Sequence, residues 1–117
     1  MTRREDTVRL RHMLDASQKA AQFAKNRKRS DLGVDEMFTL ALVRLLEIIG
    51  EGSRHVSAET RQSYPNVPWT QIAGTRDRLI HGYFDVDLDI VWRIVSEDLP
   101  PLITDLSEII SARSTED

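Results

Sequence analysis

A chain of 117 residues with 40% hydrophobic content is sized for one domain around one core. Its formal net charge of −3 excludes bulk electrostatic binding of nucleic acid, so any RNA contact has to come from a local basic patch. The lack of cysteine excludes disulfides, thiolate zinc sites and a Cys nucleophile, and 5 Gly with 4 Pro argue against an all-β chain.

The opening Met1-Thr2-Arg3-Arg4-Glu5-Asp6 is charged and shows no secretory signal. The longest apolar stretch, around Leu40 to Ile49, is interrupted by Arg44 and Glu47 and is too short and too charged to cross a bilayer. The expectation is one cytoplasmic domain over residues 1–117, with no repeat and no linker.

In chain order, Val8, Leu10, Met13, Leu14, Ala20, Ala21 and Phe23 form an apolar stripe that predicts a helix over about residues 5–25. The basic run Lys25, Arg27, Lys28, Arg29 and then Ser30 to Gly33 reads as a turn, more simply a solvated loop than a track for an RNA backbone. A second helix is predicted over residues 35–55. It is apolar on more than one face, which suits a central helix or one shared between the core and a subunit interface. Gly50 and Gly52 would let another helix approach closely.

Ser57 is placed to cap a short helix through Arg61, and Tyr64-Pro65-Asn66-Val67-Pro68 breaks the chain. Pro68 can start a helix anchored by Trp69, Ile72 and Leu79, with Gly82 as its stop. Asp85 or Asp87 can cap the next helix through Val95, Pro100-Pro101 must kink or restart it, and the tail after Ser111 reads as frayed. The sum is an all-α, antiparallel up-down bundle of four main helices with short additional ones and no convincing strand.

Chemistry concentrates in Arg76-Asp77-Arg78-Leu79-Ile80-His81-Gly82-Tyr83. A guanidinium binds phosphate oxygens through its planar fork, and an imidazole moves protons near neutrality. On a continuous helix Asp77 and His81 share a face, so the Asp could orient the imidazole. Arg76 and His81 would diverge by about 140° and meet only at a helix end or across a dimer. A polar helix end with a surface ion pair would show the same residues.

Arg76-x4-His81-x-Tyr83 resembles the signature of HepT-like toxins in the HEPN superfamily, and the likeness spans nearly the whole chain. Arg44 to Glu51 resembles the family's second-helix pattern, and Tyr64 to Trp69 its stretch before the motif. Phe84 to Asp87 and Glu97 to Leu102 resemble the family's segments after the motif. Gly52-Ser53 and Thr75 depart from the usual residues without touching the motif. The resemblance implies a HEPN-like fold and a homodimer whose two motifs share a cleft. It implies a metal-independent endoribonuclease that needs no cofactor and is the toxin of a type VII toxin–antitoxin system. Arg76 would bind the scissile phosphate, His81 would act as general base or acid, and Asp77 would orient the site. Tyr83 would be the position to which a cognate MntA-type nucleotidyltransferase antitoxin adds AMP. The alternative is a non-catalytic HEPN-like dimer that binds nucleotide or the nucleotidyltransferase.

Glu47, a carboxylate on an apolar helix, is a possible support for a motif Arg. His12 and His55 read as surface residues without metal-ligand spacing, and Trp69 and Trp92 as core anchors.

Overall fold

The computed structural model describes residues 2–82 and 85–116. Helix α1, Arg3–Ala24, begins at a capping box. The Thr2 hydroxyl accepts from the Glu5 N–H, and the Glu5 carboxylate accepts from the Thr2 N–H. It ends where Asn26 takes a left-handed conformation at φ 63°, one of the few side chains that tolerate it.

The basic run is more ordered than a solvated loop. Arg27 reaches Asp35 at 2.8 Å and Asp31 at 3.2 Å, and its guanidinium lies 4.0 Å over the Phe38 ring. Arg29 reaches Asp89 at 2.7 Å. A 3-10 turn, Arg29–Gly33, leads to α2, Glu36–His55, which Asp35 caps by accepting from the Phe38 N–H. Ser57 caps α3, Ala58–Ser63, which runs two residues past its expected end.

The predicted helix over residues 68–82 is divided. α4 is Trp69–Ala73 and α5 is Thr75–Leu79, separated at Gly74. The chain then becomes extended, and β1, Ile80–His81, pairs antiparallel with β2, Asp85–Val86. The expectation of no strand is corrected to this extent. Gly82 bends the chain, with φ 78° open to glycine, but the helix has stopped three residues earlier.

α6, Leu88–Arg93, continues into a π turn, Ile94–Asp98, and then α7, Leu99–Glu116. The α-helix restarts at the prolines as expected: α7 begins at Leu99, directly before Pro100 and Pro101, which have no N–H to donate, after a wide turn closed by the Leu99 N–H onto the Ile94 carbonyl. The end of α7 is not frayed. Arg113 is 3% exposed, and it donates to the Thr7 hydroxyl at 2.8 Å and the Arg3 carbonyl at 2.6 Å.

These contacts fix the directions. The end of α7 meets the start of α1 through Arg113, and the residue after α2, Ser57, meets Asp6 near the start of α1. α1 therefore runs antiparallel to both α2 and α7. Leu10 and Met13 from α1, Leu42 and Leu46 from α2, Leu79 from α5, Val91 from α6 and Leu99 and Leu106 from α7 are fully buried together. At that coverage each contributes about 1.5–3 kcal/mol of apolar burial. Trp69 is buried and Trp92 half-buried, while Val34, Met37 and Leu40 leave an exposed apolar stripe at the start of α2. The architecture is all-α with one small ribbon, and the ribbon carries part of the candidate site. Among the described residues no helix is long and apolar enough to cross a membrane.

Candidate active site

α5 has only five residues, too short to be stable by helix propensity, so packing must hold it. Thr75 and Leu79, four apart on one face, are buried, and the Thr75 hydroxyl donates to the Ile72 carbonyl at 2.6 Å. That face is fixed against α2, and the opposite side is left to solvent. Arg76 and Asp77 are exposed and Arg78 is half-buried. Arg76 makes no ion pair among the described residues, so its guanidinium is available to an anion.

His81 lies on β1 and is 61% exposed in its side chain. Because α5 stops at Leu79, the continuous helix that would place Asp77 and His81 on one face does not exist. The carboxylate beside the imidazole is instead Asp87, with Oδ2 3.5 Å from His81 Nε2. The ribbon brings it there. Ile80 pairs with Val86 and His81 with Asp85, and the Asp87 N–H donates to the Leu79 carbonyl at 2.8 Å. The other oxygen of Asp87, Oδ1, accepts from the Ile90 N–H at 3.1 Å and so caps α6. The Ile90 N–H holds this carboxyl below the ordinary range against the opposing effect of partial burial, and His81 adds to the lowering.

Cap signals in the sequence give Asp87 only the role at the start of α6. Its link to His81 is visible there in principle. Ile80-His81 and Asp85-Val86 flank a Gly-containing turn, and pairing them brings the following residue back to the helix end. Tyr83, the fourth motif residue, lies outside the described residues.

Glu47 is half-buried on α2, one turn before Gly50, the residue against which Thr75 packs. Among the described residues it has no ion-pair partner; Glu51 pairs with His55 at 2.9 Å. His12 and His55 are exposed, as expected. Among the described residues no group of three or more His, Asp or Glu side chains is placed to hold a metal ion.

An exposed arginine in the pinned helix α5, followed by an exposed histidine on β1 beside a carboxylate, offers a phosphate anchor and a proton carrier on adjacent elements. The family model described as "Ribonuclease HepT-like" matches residues 13–109, a span that contains all of these elements except the ends of α1 and α7. The chain belongs to the HepT-like family. It is 36% identical over 102 residues to "Putative RNase MJ1380" of Methanocaldococcus jannaschii, covering 87% of this chain and 94% of that protein. It is 38% identical over 101 residues to "Putative RNase TTE0752" of Caldanaerobacter subterraneus, covering 86% and 90%. A third relative, "Probable ribonuclease HepT" of Thermococcus cleftensis, is 36% identical over 93 residues, covering 80% and 84%. No solved structure matches the chain. Membership in the HepT-like family thus rests on nearly the full chain and not on the short motif alone.

Proposed function

We propose that this HepT-like protein is a metal-independent endoribonuclease and the toxin of a type VII toxin–antitoxin system. The observation that carries the reading is an exposed Arg76 on α5, without an ion pair among the described residues, and a carboxylate-backed His81 on the adjoining β1, in a chain whose relatives bear ribonuclease names. In this reading Arg76 binds the scissile phosphate and stabilises the charge that builds on its oxygens. His81 accepts the proton of the ribose 2′-hydroxyl. The 2′-oxygen attacks phosphorus, the bond to the 5′-oxygen breaks, and the departing oxygen takes up a proton.

One imidazole cannot be the base and the acid in the same turnover step. A homodimer with two motifs in one cleft resolves this, with His81 of the partner subunit protonating the leaving oxygen. Asp77, exposed beside Arg76, belongs to the polar surround of the phosphate, and Glu47, half-buried on α2, takes in this reading the supporting role toward a motif arginine. Tyr83 is the off-switch. Addition of AMP by an MntA-type nucleotidyltransferase would bring about one negative charge per unit, plus a bulky nucleoside, to the cleft. Both would exclude RNA.

The experiment is incubation with the cognate nucleotidyltransferase and ATP, followed by intact mass and RNA cleavage. The expected result is a gain of one or more AMP units with loss of cleavage, and neither change in Tyr83→Phe. A modified protein that still cuts RNA, or a mass gain that survives Tyr83→Phe, contradicts the switch.

A further inference from the structure

The geometry places His81 so that one of its ring nitrogens is occupied and the other is open. We infer that Asp87 is the positioning residue of His81, engaging Nε2 and leaving Nδ1 as the nitrogen that faces the substrate. The inference rests on the ribonuclease reading for its catalytic meaning, but not for the pairing itself.

Three constraints hold Asp87 in place. Its N–H is tied to the Leu79 carbonyl at the end of α5, its Oδ1 to the Ile90 N–H at the start of α6, and its backbone follows the β2 strand paired with β1. The carboxylate therefore has one oxygen committed to the fold, while the other points at the imidazole at 3.5 Å. A carboxylate beside Nε2 favours the neutral tautomer with hydrogen on Nε2, which makes Nδ1 the acceptor.

Other charged groups stand on the packed elements. Arg76, Asp77 and Arg78 lie on α5, and Asp85 is the register partner of His81 on β2. Asp89 on α6 is engaged by Arg29. Of these carboxylates none but Asp87 has an ion-pair distance to His81 among the described residues. The spacing from Arg76 to Asp87 thus acquires a reason. The arginine and the carboxylate sit at the two ends of a helix–ribbon–helix corner, and the histidine lies on the ribbon between them.

The test is the 15N spectrum of the three histidines in labelled protein, with His81 assigned from the spectrum of His81→Ala. Neutral His81 in the wild type should be mainly the Nε2–H tautomer. In Asp87→Asn, which keeps a helix-capping side chain and removes the charge, that preference should weaken, while the tautomers of His12 and His55 stay as they are. Asp77→Asn should change it less. In cleavage assays Asp87→Asn should lower kcat about tenfold with little change in KM, and Asp87→Glu should recover part of the loss. An Nδ1–H tautomer in the wild type overturns the inference whether or not the variant folds, and so does an unchanged tautomer and kcat in a folded Asp87→Asn. If the tautomer behaves as expected but the wild type cuts no RNA, the pairing stands and the ribonuclease reading falls.

Discussion

Gly50 on α2 lies so close to Thr75 at the start of α5 that a Cβ at position 50 would sit 3.3 Å from the Thr75 Cβ and 3.0 Å from the Ile72 carbonyl oxygen. The glycine sets the depth at which α5, and with it Arg76, seats on the core. Ala is the better helix former by about 1 kcal/mol, but the new methyl meets backbone and must push α4 and α5 outward by a few tenths of an ångström. Gly50→Ala is therefore expected to change stability by less than about 1 kcal/mol while lowering RNA cleavage by roughly three- to tenfold. Thermal melts and cleavage rates measured side by side check it. Equal losses in both would mean that α5 is not the element displaced.

A second prediction concerns Asp6, which is 2% exposed. Its carboxylate accepts from the Ser57 N–H at 3.0 Å, from the Thr60 hydroxyl at 2.6 Å and from the Ser57 hydroxyl at 2.5 Å. Burial alone would raise its pKa. These bonds, with the Arg113 charge nearby, outweigh burial and leave it lowered. Asp6→Ala leaves those donors without their acceptor and removes the negative charge near the Arg113 guanidinium, so the expected cost is about 3 kcal/mol, seen as a Tm lower by roughly 10 °C. A folded-state pKa below the unfolded one gives stability that is complete above the ordinary carboxylate value of ~4 and is lost as pH falls through the lowered value. The gap between wild type and variant should thus hold near neutrality and close in acid. A gap that widens in acid would contradict the assignment.

The same corner predicts the effect of shortening the chain. Residues after Ser111 include Arg113, whose guanidinium ties α7 to Thr7 and Arg3 on α1. Removing residues 111–117 should cost about 2–3 kcal/mol, because the Thr7 hydroxyl and the Arg3 carbonyl lose the buried guanidinium that bonds them. Denaturant unfolding of the shortened chain checks it. Stability equal to the full chain would restore the picture of a frayed tail.

The helices are legible in the sequence because their caps and apolar stripes agree. Ser57 and Asp87 each cap the helix expected from them, and the stripe of α1 survives in Leu10, Met13 and Ala20. The motif is legible as a set of residues and not as a geometry. Helical spacing carries no warning that α5 is cut to five residues, since the cause is tertiary: Gly74 interrupts the helix, and the segment at residues 85–86 captures Ile80 and His81 into a ribbon. Spacing pairs Asp77 with His81 on a helix that ends too soon, and Asp87 takes that place from ten residues further along. Arg113 is hidden for a related reason. A charged residue near a chain end reads as solvated until the helix it belongs to is seen lying on α1.

The central claim is that Arg76 and His81 form a ribonuclease centre. The most direct measurement is RNA cleavage by purified unmodified protein in EDTA, with His81→Ala and Arg76→Ala compared at equal foldedness by circular dichroism. The account predicts that the wild type cuts RNA without added metal, and that each variant stays folded and loses about 10²–10⁴-fold in rate. A wild type that leaves every RNA intact, or a His81→Ala variant that cuts as fast as the wild type, would contradict it. The first of those results, together with unimpaired binding of the nucleotidyltransferase by both variants, would leave the protein as a binding module.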